Sequence, residues 1–169
     1  MTQTQSDLRT GSRLVTWVEP GQADLSALAG LDGLGQLEAM VDGSAPRPPI
    51  MDTLDITGFY PSRGSVAVEL RAQPFHYNPL GSVHGGVIAT LLDTACGCSV
   101  HSTLGVGEFY TSMDLTTKFL RAATVESGLL RCEGSIIQRG RRTALAQATL
   151  TDEAGKVIAH ATSTCMIFS

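Results

Sequence analysis

The spacing of apolar positions changes character along the chain. Residues 24 to 41, DLSALAGLDGLGQLEAMV, place Leu25, Leu28, Leu31, Leu34 and Leu37 three apart, a helical spacing. Asp24 suits an N-cap and Gly43 a stop. The glycines at 30, 33 and 35 each cost about 1 kcal/mol relative to alanine. The stretch therefore predicts one or two short helices whose leucine face must dock on something. SAPRPPI, residues 44 to 50, reads as a connector whose prolines forbid a helix. From residue 50, IMDTLDITGFY and then VAVEL predict two strands joined by a turn at PSRG, residues 61 to 64. Residues 86 to 102 then carry Val87, Ile88, Leu91, Leu92, Ala95, Cys96, Ser99 and Val100 on one broad face. That predicts a helix of ~25 Å, long enough to cross a small sheet. YTSMDLTTKFL alternates again, with Met113, Leu115, Thr117 and Phe119 on one side. LLRCEGSIIQ, TALAQATLTD and KVIAHATSTCMIF complete the strands, with turns at RGRR (139 to 142) and DEAG (152 to 155). Residues 1 to 22 are polar and mixed, which predicts disorder or loose docking.

The order is a helical prelude, two strands, one long helix and four strands. This is an α+β domain, its central helix lying against an antiparallel sheet of about six strands. GSII, ALAQAT and VIAHAT carry small and polar residues on both sides of the sheet, so its face away from the helix is expected to pair with a second copy. At 169 residues and 43% hydrophobic content, the chain suits one domain with a sizeable core. A net charge of −4 argues against nucleic acid or an anionic membrane surface as partner. Cys96, Cys98, Cys132 and Cys165 form no CxxC pair and read as small buried hydrophobes in a reducing, cytoplasmic compartment. The start lacks an apolar signal-peptide core, and no apolar run approaches ~18 residues.

Chemistry concentrates in NPLGSVHGGVIATLLD, residues 78 to 93. On a helix, Gly86, Thr90, Asp93 and Gly97 share one narrow stripe of small and polar residues, opposite the apolar face. The first amides of that helix lack intrahelical acceptors and sit at the positive end of its dipole. Gly85 and Gly86 leave room for a group to approach them, an arrangement able to hold an oxyanion. Asn78 offers an amide donor and acceptor nearby. Asp93 lies two turns further on, ~10 Å in one chain, so it is placed to serve another copy's oxyanion site.

The pattern Asn78, Gly81, His84, Gly85, Gly86 and Asp93 resembles that of the hotdog-fold acyl-CoA thioesterases of the phenylacetate-pathway (PaaI-like) type. TACG, YTSMDL, FLR and RGRR resemble the same family, and the likeness covers roughly residues 48 to 168. One departure is Ala122, where the family usually has proline after FLR; this touches a strand end. The resemblance implies a hotdog domain at 48 to 169 behind a partly helical extension at 1 to 47. It implies hydrolysis of an acyl-CoA thioester, with the carbonyl against the Gly85 N–H, helped by Asn78. Asp93 from a partner would be general base or nucleophile. Ser112 is similar in position to a water-orienting residue; Thr111 is its rival, because a one-residue slip exchanges their faces. His84 would stabilise the departing thiolate, and neither metal nor cofactor is required beyond the coenzyme A of the substrate.

Arg139, Arg141 and Arg142 flank Gly140 in a turn suited to coenzyme A phosphates, with Lys118 and Arg121 as further candidates. His76, His84, His101 and His160 lack zinc-site spacing. Neither GxSxG, GxGxxG nor a P-loop pattern occurs. The expected protein is a homodimer or homotetramer. The competing reading is a non-catalytic module that binds acyl-CoA or an aromatic ligand.

Overall fold

The computed structural model describes residues 10 to 19 and 26 to 169. Among these residues, three α-helices and seven strands follow in the order α1 (Gly33–Asp42), α2 (Pro49–Leu54), β1 (Ile56–Ser62), β2 (Ser65–Arg71), α3 (Gly85–His101), β3 (Phe109–Ser112), β4 (Thr116–Phe119), β5 (Leu129–Arg139), β6 (Thr143–Thr151) and β7 (Val157–Phe168). The sheet is antiparallel throughout, with order β1-β2-β5-β6-β7-β3 and β4 also paired to β7. It wraps α3, whose Ile88, Leu91, Leu92, Ala95, Cys96, Ser99 and Val100 are buried against the sheet. This is the central helix on an antiparallel sheet that the periodicity predicts, and the hotdog arrangement that the resemblance implies.

The helix and sheet touch backbone to backbone. A Cβ on Gly134 of β5 would lie 2.2 Å from the Ala95 carbonyl oxygen. Close by, the buried Ser99 hydroxyl donates to the Ala95 carbonyl at 2.7 Å and accepts from the Val66 amide at 3.1 Å. At the helix end, the Ser102 hydroxyl donates to the Ser99 carbonyl and accepts from the Gly64 amide, both at 2.8 Å. The C-terminal end of α3 is thus bolted to the β1–β2 hairpin.

The prelude docks on that same end. A short 3₁₀ turn, Ser26–Leu28, precedes α1. Asp32 caps α1 by accepting from the Gly35 amide at 2.9 Å, and Gly43 ends it at φ 82°. The Asp24 expected as N-cap lies outside the described residues. Leu37 is buried and Leu28 and Leu34 are half-buried, whereas Leu31 is exposed and Leu25 lies outside the described residues, so the leucine face docks in part. Gly33 packs against the His101 carbonyl, and Arg63 reaches Asp32 at 2.6 Å. Within residues 10 to 19, Arg13 anchors the segment: it donates to the Thr53 and Asp52 carbonyls and lies 4.8 Å over the Phe75 ring.

Two expectations are corrected. Residues 50 to 54 are helix, not strand, and the prolines of SAPRPPI do not prevent it, because Pro49 sits in the first helical position, where its missing N–H costs nothing. YTSMDLTTKFL is two strands, not one. Ser112 pairs with Cys165 and Thr116 with Thr162, so Met113, Asp114 and Leu115 face only Ser163 and Thr164. That extra residue is a β-bulge, and it accounts for a seventh strand. The four cysteines are free, three of them buried. Burial pushes the Cys96 and Cys98 thiols up to about 12. No helix among the described residues is long and apolar enough to cross a membrane.

Candidate active site

The two glycines after His84 serve different neighbours. His84 is the N-cap of α3, and its Nδ1 accepts from the Gly86 amide at 2.8 Å. A Cβ on Gly86 would stand 3.0 Å from that nitrogen, so glycine lets the ring fold back. With Nδ1 accepting, the neutral imidazole carries its proton on Nε2. Gly85 instead lies under Phe119, whose ring tip would be 3.3 Å from an added Cβ. The Val87 and Ile88 amides both donate to the His84 carbonyl, at 2.9 and 3.3 Å. Of the four first-turn amides, only that of Gly85 has no acceptor among the described residues. It points out of the positive end of a 17-residue helix.

Asn78 organises the loop before the helix. Its Oδ1 accepts from the Leu80 amide at 2.9 Å and the Ser82 amide at 3.3 Å, and Nδ2 donates to the Ser82 hydroxyl at 3.1 Å. One amide proton remains for anything else. The loop is tied to the helix start by the His84 amide, which donates to the His76 carbonyl at 2.8 Å. His76 is itself buried, with Nε2 2.9 Å from the Leu54 carbonyl, and burial pulls its pKa down.

Two turns along α3, Asp93 is exposed and receives a hydrogen bond from the Ser112 hydroxyl at 3.4 Å. Asp93 and Ser112 line an open cleft of ≈ 390 Å³ with Ala89, Thr90, Met113, Asp114 and Leu115. Tyr110, two residues before Ser112, roofs Gly97, where a Cβ would lie 2.7 Å from the phenol oxygen. Tyr110 and Ser112 therefore face α3, and Thr111 faces away. After the bulge the parity is reversed: Phe119 faces α3 at Gly85, and Leu115 and Thr117 share its side. Met113, expected on that side by simple alternation, falls at the bulge.

The arginines of the β5–β6 turn are not equivalent. Arg139 is half-buried; its Nη2 donates to Glu108 at 2.9 Å and its Nη1 to the Gly140 carbonyl. The Gly105 amide and then Arg139 hold the Glu108 carboxyl below its usual range. Arg139 is thus committed to a loop. Arg141 and Arg142 are exposed and line a second cleft, ≈ 400 Å³, with Glu108, Ile167, Phe168 and Ser169. Lys118 and Arg121 are also exposed. Among the described residues, no group of three or more His, Cys, Asp or Glu side chains is arranged to hold a metal.

One chain therefore gathers Asp93 and Ser112 in one place and His84, Gly85, Gly86 and Asn78 in another. The residues that sequence reasoning did not single out for the site are Phe119 and Asp114. Neither has a local signal, because each is brought in by the bulged pairing with β7.

The thioesterase superfamily model matches residues 80 to 159, which include His84, Gly85, Gly86, Asp93 and Ser112 but not Asn78. A phenylacetic acid degradation-related protein from Ralstonia eutropha JMP134 is 32% identical, covers 77% of this chain and 98% of its own, and superposes with TM-score 0.70. The chain belongs to the thioesterase superfamily. This thioesterase is also 28% identical over 102 residues to human acyl-coenzyme A thioesterase 13, covering 57% of this chain and 69% of that protein. A Streptococcus mutans UA159 protein solved bound to acetyl CoA is 26% identical, covering 68% of this chain and 87% of its own, with TM-score 0.59. The chain is a thioester hydrolase of the hotdog fold.

Proposed function

We propose that this thioesterase hydrolyses acyl-CoA to a carboxylic acid and free coenzyme A at a site shared by two copies. The observation that carries this reading is the free Gly85 amide on the same helix as an exposed Asp93. The ~10 Å between them is too far for one carbonyl to meet both in one chain. Two copies with antiparallel α3 helices bring Asp93 of one to Gly85 of the other. The small stripe of Gly86, Ala89 and Thr90 gives the substrate room between them.

The thioester oxygen accepts from the Gly85 N–H, so charge developing on it meets the helix dipole. The remaining Asn78 amide proton is a second donor. Asp93 takes a proton from water as the water oxygen attacks the carbonyl carbon. The Ser112 hydroxyl holds that carboxylate or its water. Collapse of the tetrahedral intermediate breaks the C–S bond and expels the thiolate. With a thiol pKa of roughly 8.5, that group leaves without strong acid help, and the His84 Nε2–H stands beside its path. Attack by Asp93 itself, through an anhydride, is the alternative route. Arg141 and Arg142 suit the coenzyme A phosphates, whereas Arg139 braces the turn. The human relative's name and the acetyl-CoA-bound neighbour support the substrate class. Four free thiols fit a reducing, cytoplasmic setting. A homodimer is the smallest unit that completes the site, with two sites per dimer, and a homotetramer contains that dimer twice. Thiol release from an acyl-CoA panel tests the reading. Release no faster than a protein-free blank, or a monomer by native mass spectrometry, defeats it.

A further inference from the structure

The bulge between β3 and β4 is closed by a side chain. The Met113 amide donates to the Thr164 carbonyl at 2.8 Å, as a strand would. The reciprocal Thr164 amide finds no backbone acceptor there; it donates to Asp114 Oδ1 at 3.0 Å. The Asp114 carbonyl accepts from the buried Ser163 hydroxyl at 2.7 Å. Asp114 thus supplies in its carboxylate the acceptor that the extra residue took from the ladder. Two residues earlier, Ser112 reaches Asp93. Without that acceptor the bulge can slide toward β3, and that one-residue slip turns Thr111 rather than Ser112 toward α3.

We propose that Asp114 is a positioning residue: by holding the bulge at Met113–Leu115 it keeps Ser112, and not Thr111, on Asp93. It acts through Ser112 and touches no reacting atom. The same clamp sets the parity that aims Phe119 at Gly85, so one bulge orients side chains at both ends of the α3 stripe.

The inference rests on the thioesterase reading of Asp93, so its test carries one arm that needs no activity. In Asp114→Ala, hydrogen exchange at the Thr164 amide should accelerate at least ~10-fold while core amides such as Leu92 keep their protection. Unchanged exchange at Thr164 overturns the clamp whatever the activity. In the assay, Asp114→Ala should lower kcat about 10-fold with KM within about 2-fold, as for an interaction made only in the transition state. Asp114→Asn keeps an Oδ1 acceptor, and should stay within about 3-fold of wild type. An asparagine variant as slow as alanine overturns the proposal, because charge rather than the clamp would then matter. In a Ser112→Ala background the Asp114→Ala loss should vanish; additive losses mean a merely structural role and also overturn it. If Asp114→Ala does not fold, Asp114→Ser, whose hydroxyl falls short of the Thr164 amide, takes its place in the same cycle. A wild-type protein that releases no thiol counts against the function alone, and the exchange arm still decides the clamp.

Discussion

The two faces of α3 obey opposite rules. On the sheet side the buried Ser99 hydroxyl both donates and accepts, and the space is filled to backbone contact at Gly134 against Ala95. On the open side the helix begins with an unmatched amide and carries a carboxylate held by one long hydrogen bond. Both faces are rich in small residues. On the first, smallness permits packing; on the second, it leaves a vacancy that only another molecule can fill. Unmatched polarity, rather than residue size, separates site from scaffold.

The strongest way to break this contrast is to add one methyl to the packed face. Gly134→Ala must displace the Ala95 carbonyl, and should cost about 3 kcal/mol or more, read as a fall in Tm or loss of folded protein. A well-folded Gly134→Ala protein would mean that the helix–sheet contact is looser than described. On the open face the opposite trade is expected. Asp93→Ala should cut kcat by at least ~10²-fold and leave Tm nearly unchanged, because the side chain is exposed. Ser112→Ala should cost about 10-fold in kcat, since it removes one hydrogen bond to that carboxylate. A Thr111→Ala variant with the larger loss would reverse the assignment of faces.

Milder effects sharpen the same comparison from the scaffold side. Burial lowers the pKa of His76 and of His101, whose Nε2 lies 2.9 Å from Gln36 Oε1. From 6.5 downward the unfolded chain therefore binds protons that the folded chain refuses, and stability falls as pH drops from 7 toward 5. Melting at pH 7.0 and 5.5 measures that slope, and His101→Gln should flatten it. Smallest of all, Cys96 and Cys98, with pKa values near 12, should not react within minutes with a thiol reagent at pH 8 in the native protein. Rapid labelling of the buried Cys96 would show the core opening on that timescale.

What could be read from the residues was whatever repeats locally. The apolar face of residues 86 to 102 predicted α3 to within one residue at each end, because a helix writes its own period. The helix start and Asp93 were legible for the same reason. The break in YTSMDLTTKFL was not: alternation runs through it, and only the partner strand, fifty residues later, shows one residue too many. The ambiguity between Ser112 and Thr111 had that same origin. RGRR likewise presented three equal arginines, and it took Glu108, from a distant loop, to set Arg139 apart. IMDTL misled because a six-residue helix has too few turns to declare a period, and its opening proline looked like a barrier.

The position of β7 bears on how the chain is made. It pairs with β6 along one edge and with both β3 and β4 along the other, yet it is synthesised after all three. During translation β3 and β4 leave the ribosome about forty residues before their shared neighbour and have no strand partner in the interval. The nascent molecule therefore passes through a stage in which β3 and β4 present bare strand edges, and that stage lasts until β7 has cleared the ribosome.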